Sequence, residues 1–122
     1  MRWAAILSLM ALPAMAEDLP PLLCGGVEPN WSVRIEGDRA SFSEPGQDAI
    51  PYDIPHRVQA EGRSYPRALT LIGQRSTAVA LVDQRQCLDG MADQPRPFAL
   101  EFLTQRALEP ILLTGCCRVL PE

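Results

Sequence analysis

The sequence has no lysine and a single histidine, His56, among its 122 residues. It also lacks a Cys-x-x-Cys pair, a Gly-x-Ser-x-Gly motif and a glycine-rich phosphate loop. Because nucleophilic catalysis usually recruits histidine and zinc sites usually contain closely spaced cysteines, these absences argue against the common hydrolases and zinc proteins. We therefore expect no catalytic residue, no metal site and no cofactor.

Basic residues are also too few to outweigh the acidic ones. The chain carries 15 acidic and 11 basic residues, for a net charge of −4, and the arginines form no run. Binding to nucleic acid or to an anionic membrane surface depends on clustered positive charge. The charge balance therefore makes the chain a poor candidate for either partner, and we expect no nucleic-acid partner.

A long apolar run is missing as well, and the one short run lies at the start of the chain. Residues 3–12 are apolar except for Ser8, Arg2 precedes them, and residues 14–16 read Ala-Met-Ala. This layout predicts a secretory signal peptide over 1–16, which leaves 17–122 as a single domain exported to the periplasm. The alternative is a membrane anchor, but the run is about half as long as a bilayer span requires.

Twelve prolines and eight glycines leave few windows long enough for a helix. Strict alternation of apolar and polar residues predicts strands over 31–37 and 98–105, and further strand patterns cover 39–42, 68–73, 76–87 and 111–119. The prolines in 50–68 allow at most short edge strands there, and 105–109 could form a short helix. These patterns predict an all-β fold, a small antiparallel barrel or a strongly curved sandwich of about seven short strands.

The four cysteines predict two structural disulfides, since exported proteins fold in an oxidising compartment. By strand alternation Cys116 points outward and Cys117 inward, and Cys87 points outward if no bulge precedes it. Alternation therefore favours Cys87 with Cys116, and Cys24 with Cys117. A bond between the neighbours Cys116 and Cys117 is the rival arrangement, which requires strained geometry.

Two stretches resemble a known family. CGGVEPNWSVRI (24–35) is similar to a G-x-E-P-x-W pattern, and CLDGMADQPRPF (87–98) is similar to C-x-D-G-M-x-D, with Gly-Cys at 115–116. This combination resembles an uncharacterised family of small exported bacterial proteins and lipoproteins, often labelled predicted membrane proteins and found near META-type and lysozyme-inhibitor-type β domains. The resemblance implies a β-barrel-like fold and a bond between Cys87 and Cys116. Asn30 and the additional Cys117 depart from the pattern, and the family brings no established activity.

The motif residues form a candidate binding surface: Glu28, Trp31, Asp89, Asp93 and Arg96. Each has a structural alternative. Trp31 opens an alternating strand and could instead close one end of the core. The two aspartates supply too few oxygens for calcium and are typical of a turn around Gly90. Arg96 could pair with Asp93.

The sequence thus favours a non-enzymatic periplasmic module that binds an envelope protein or a cell-wall component. One specific form is an inhibitor of a cell-wall hydrolase of the lysozyme type, since an acidic protein gains from electrostatic steering toward a basic enzyme. The alternatives are a small-ligand carrier that uses the barrel interior and a hydrolase with an unrecognised site. A core filled by Trp31, Phe42, Phe98 and Phe102 would leave a carrier no room. We expect a monomer without a membrane span.

Overall fold

A computed structural model describes residues 18–27, 29–88 and 94–121. These residues form eight β-strands: β1 (Leu22–Val27), β2 (Asn30–Glu36), β3 (Arg39–Ser43), β4 (Ile50–Gln59), β5 (Arg67–Ile72), β6 (Thr77–Cys87), β7 (Arg96–Arg106) and β8 (Glu109–Val119). Each strand pairs antiparallel with the next one, and β1 pairs with β8, so the sheet closes into a barrel. The predicted all-β antiparallel barrel is confirmed, with eight strands rather than about seven.

The barrel interior is filled by the apolar faces that alternation identified. Val33, Ile35 and Phe42 of the first predicted hairpin are buried, as are Leu100 and Phe102 of β7. The rings of Phe42 and Phe102 meet near the centre, with centroids 5.2 Å apart. Strands whose side chains alternate in this way bury one face inside the barrel and leave the other to solvent.

Two parts of the chain differ from the sequence-based expectation. The middle segment forms β4, a continuous strand of ten residues, rather than short edge strands. Pro51 lies where β4 pairs with β3, and Pro55 falls at a register shift between Asp53 and His56. Because a proline cannot donate to a ladder, it is tolerated where one edge of the strand is unpaired or bulged.

The short helix that the sequence allowed over 105–109 does not form. β7 continues to Arg106, which pairs with Glu109 of β8, so Ala107 and Leu108 form a two-residue hairpin turn. Ala107 adopts a positive φ of 57° there. A two-residue hairpin turn requires a residue in the left-handed conformation. The sequence has no glycine here, so the usual indication of such a turn is missing.

The predicted signal peptide, residues 1–16, lies outside the described residues. Within the described ranges, no helix has the length and apolar character needed to cross a membrane.

Candidate functional site

The barrel closes through a short ladder of four residue pairs between β1 and β8. Only residues 22–25 of β1 pair with β8, from Leu22 opposite Val119 to Gly25 opposite Cys116. Within this ladder Cys24 lies directly opposite Cys117, and the two are joined by a disulfide with their Cα atoms 3.9 Å apart. Beyond Cys116 the two strands diverge. In the described part of the chain, residues 109–115 of β8 pair with β7 alone.

A surface groove of about 830 Å³ occupies this divergence, and we call it the seam groove. It runs along β8 between the turn that joins β1 to β2 and the end of β6. Its rim carries three exposed apolar side chains: Val27 is 50% exposed, Leu88 77% and Leu112 62%. Residues that face the barrel core, Trp31, Leu100 and Leu113, form its floor.

Trp31 is held against the backbone by two glycines. A Cβ atom at Gly26 would lie 2.6 Å from the indole Nε1 of Trp31, and one at Gly115 would lie 2.8 Å from its Cζ2. Only residues without a side chain permit this contact, since real Cβ atoms do not approach so closely. Trp31 is 4% exposed, so its ring closes the end of the core and presents little area at the floor of the groove.

A second disulfide joins β6 to β8 at the seam groove. Cys87 at the end of β6 is bonded to Cys116 of β8, with the Cα atoms 5.4 Å apart. Both predicted pairs are therefore present, and the rival bond between Cys116 and Cys117 is not. However, the outward orientation of Cys87 was predicted on the assumption that no bulge precedes it. A register shift does lie between Gln84 and Cys87, so that assumption is not met. A bulge changes which face the following residues take, so alternation alone does not account for the bond between Cys87 and Cys116.

The structure separates the predicted surface residues that it describes. Trp31 lies in the seam groove, whereas Arg96 lies beyond Cys116, in a shallow depression that also contains Arg118 and Ser32. Glu28, Asp89 and Asp93 lie outside the described residues, so the predicted pairing of Asp93 with Arg96 stays a prediction.

The side chains at the groove suit noncovalent recognition. Its charged members are Arg85 and Glu101; the guanidinium of Arg85 lies 3.7 Å from the carboxylate of Asp83. Glu101 has no cationic partner among the described residues. No cluster of three or more potential metal-ligating side chains occurs within the described ranges. The groove therefore offers apolar contacts and one unpaired carboxylate.

Polar hydroxyl groups gather at another point, among β4, β7 and the loop between β5 and β6. The hydroxyl of Tyr52 lies 3.0 Å from that of Ser76, and the Thr104 hydroxyl donates to the carbonyl oxygen of Thr77 at 3.0 Å. Tyr52 and Thr104 are buried, and their hydroxyl groups hydrogen-bond within this network. Since these bonds join three parts of the barrel, the cluster has a structural explanation.

Sequence reasoning missed Val27, Leu88 and Leu112 as parts of a site. By alternation Leu112 shares the outward face of Cys116, but alternation carries no information about which strand lies beside it. One signal was present in Pro110, which cannot donate a hydrogen bond along one edge of β8 and is therefore typical of an unpaired edge.

Comparison with known proteins found no matching family model, no matching curated protein and no matching solved structure.

Proposed function

We propose that this protein is a non-enzymatic periplasmic binding module that engages a protein of the cell envelope through the seam groove. One observation carries the proposal: three exposed apolar side chains, Val27, Leu88 and Leu112, surround a groove beside a strand edge without a partner in the described chain. Exposed apolar side chains that converge on a concavity are typical of interaction sites.

The proposed compartment has support from the covalent structure. The barrel contains two disulfides, and such bonds form and persist outside the cytoplasm. Residues 1–16 have the charged start, apolar run and small residues of a cleaved leader. Together these features favour export to the periplasm.

The filled interior favours a protein partner over a small ligand held inside the barrel. Trp31, Phe42, Phe98 and Phe102 are all buried in the core. Carriers of the barrel type instead keep an open interior that surrounds the ligand. The largest cavity found among the described residues, the seam groove, lies at the surface, which supports recognition on the outside.

The specific partner that we propose is a basic cell-wall hydrolase of the lysozyme type. The chain is acidic, with a net charge of −4, and the one negative side chain of the seam groove, Glu101, lacks a cation in the described residues. The resemblance of residues 24–35 and 87–98 to exported proteins found near lysozyme-inhibitor-type domains points the same way. An acidic inhibitor would be steered to a basic enzyme.

The test is lysozyme activity on cell walls, measured at low salt with an excess of the oxidised protein. We expect inhibition that weakens as salt is added, because screening shortens the range of the attraction. Unchanged lysozyme activity at low salt would rule out this partner.

A pair of matched variants locates the site. Leu112→Arg places a positive charge on the rim of the groove, whereas Leu108→Arg makes the same change at a hairpin turn, where Leu108 is 97% exposed and outside the groove. We expect the first variant to lose inhibition and the second to keep it. Equal behaviour of the two would remove the seam groove from the proposal.

A further inference from the structure

The outer edge of β8 carries backbone groups that no described strand uses. The orientation of these groups follows from the closure ladder. In an antiparallel pair, directly opposed residues alternate between hydrogen-bonded positions and closer positions without hydrogen bonds. The Cα atoms of Cys24 and Cys117 are 3.9 Å apart, which marks the close, non-hydrogen-bonded kind. The neighbouring pair, Gly25 with Cys116, is then the hydrogen-bonded kind.

The backbone of Cys116 therefore points toward β1. Because strand residues two apart point the same way, the N–H and C=O groups of Thr114 and Leu112 also point to that side. β1 no longer pairs there, and no other described strand does. Pro110, two residues before Leu112, faces the same side. A proline has no N–H group, so its presence is consistent with an edge of β8 that pairs with no strand at that position. Leu112 and Thr114 thus offer strand-pairing groups to the seam groove.

The surroundings of this edge suit the side chains of an added strand. Side chains of a strand alternate between its two faces. One set would face the apolar floor formed by Trp31 and Leu113, and the other would lie beside Leu112 on the outer surface. On that outer surface Glu101 lies directly opposite Thr114 in the ladder, without a cation among the described residues. A positively charged side chain next to the added strand would complement it.

We propose that the seam groove binds an extended segment of a basic partner protein by strand addition to β8 at residues 110–114. The segment alternates apolar side chains, which face the floor, with polar ones that include an arginine or lysine near Glu101. Backbone hydrogen bonds to Leu112 and Thr114 supply the pairing, and the alternating side chains supply the selectivity. This inference rests on the proposed function and specifies how the partner is held.

The probe is a blocked synthetic heptapeptide in which valine alternates with arginine and threonine, added to the isotope-labelled protein at up to about 1 mM. We expect the amides of Leu112 and Thr114 to shift in the NMR spectrum and to exchange with solvent at least about tenfold more slowly. Absence of these changes, or changes only at other surfaces, would overturn the proposal.

Two control peptides carry the same side chains and are N-methylated along one edge or along the other. Since strand addition uses one edge of the peptide, we expect one control to lose binding and the other to retain it. Equal binding by both would show that side chains alone hold the peptide, and strand addition would be wrong.

A matched pair of protein variants tests the same bond from the other side. Thr114→Pro removes the groove-facing N–H, and Thr114→Ala removes only the exposed side chain. We expect the proline variant to bind the peptide about tenfold more weakly than the alanine variant, which keeps the N–H group; equal binding by the two folded variants would contradict strand addition. Far-ultraviolet circular dichroism and thermal melting check that the proline variant is folded. If it is not, the two N-methylated peptides on the native protein decide.

The outcomes separate this inference from the proposed function. Full lysozyme inhibition by a folded Thr114→Pro variant would overturn strand addition and leave the binding function standing. Peptide binding at β8 without inhibition would support strand addition and remove lysozyme as the partner. Sedimentation that shows self-association through residues 110–114 would assign the edge to a second copy of the chain and overturn the proposed occupant.

Discussion

Gly115 is the first residue of β8 beyond its ladder with β1, and its backbone still lies close to Gly25 of β1. A Cβ atom at this position would stand 2.2 Å from the carbonyl oxygen of Gly25 and 2.8 Å from Cζ2 of Trp31. The first neighbour is backbone that belongs to the closure ladder, and the second is a ring fixed in the core. Neither can move aside without opening the seam, so the position tolerates no side chain.

Gly115→Ala should therefore destabilise the barrel by about 1–3 kcal/mol, the usual cost of overpacking. Urea unfolding followed by tryptophan fluorescence measures the change, because Trp31 reports on the affected corner. Thr114→Ala is the control, since it alters an exposed neighbour and should cost less than about 1 kcal/mol. A Gly115→Ala protein as stable as the control would show that the closure ladder can shift.

Among the structural elements, the strands found from the sequence are those whose side chains alternate visibly. β2 places Trp31, Val33 and Ile35 inward and polar residues outward, so the alternation in its sequence was sufficient to predict the strand. β1 was not found as a strand because Gly25 and Gly26 carry no side chain to mark a face. β4 was not predicted as one long strand because of its prolines. Whether a proline fits in a strand depends on how the neighbouring strands pair with it, which the sequence does not show.

The candidate site was less predictable than the fold for a related reason. The seam groove depends on where pairing between β1 and β8 stops, at Gly25 and Cys116, and no residue type marks that point in the sequence. Pro110 indicates only that one edge of β8 lacks a partner at that position. The disulfide partners were predicted correctly, but the bulge before Cys87 means that alternation did not determine how that residue faces. Alternation within a strand identifies which face is buried. The seam groove instead depends on the relative lengths and the register of neighbouring strands, which alternation does not determine.

The two disulfides make different contributions to the stability of these elements. Cys24–Cys117 spans 93 residues and joins the first strand to the last, while Cys87–Cys116 spans 29 residues. Loop-closure entropy gives an upper bound of about 5 kcal/mol for the first bond and about 4 kcal/mol for the second. The longer loop also closes the barrel, so its loss should affect the whole sheet.

Replacing both cysteines of one disulfide by alanine tests which of the two bonds stabilises the barrel more. The variant with Cys24→Ala and Cys117→Ala should lose more stability toward guanidinium than the variant with Cys87→Ala and Cys116→Ala. The second variant should keep the barrel while freeing the end of β6 from β8, with increased amide exchange near Cys87. A greater loss of stability in the second variant would contradict the proposed role of the first bond in closure.

At the scale of the whole molecule, the chain is a sequential antiparallel meander with a single long-range closure. Each described strand pairs with its neighbour in sequence, and among the ladders of the described residues only the one between β1 and β8 joins distant parts of the chain. Such a closure completes the barrel only where the two strands overlap. The same arrangement that leaves few strand edges elsewhere thus concentrates an unpaired edge at the seam groove.

The net charge of −4 acts over the whole surface rather than through one contact. For the proposed basic partner, raising the salt concentration should therefore lower the association rate constant by about tenfold, with a much smaller change in the dissociation rate constant. Surface plasmon resonance at several ionic strengths measures both. Leu112→Thr should show the opposite pattern, faster dissociation with an unchanged salt dependence, because it removes a short-range apolar contact and no charge. If salt changed only the dissociation rate, local ion pairs rather than the overall charge would govern recognition.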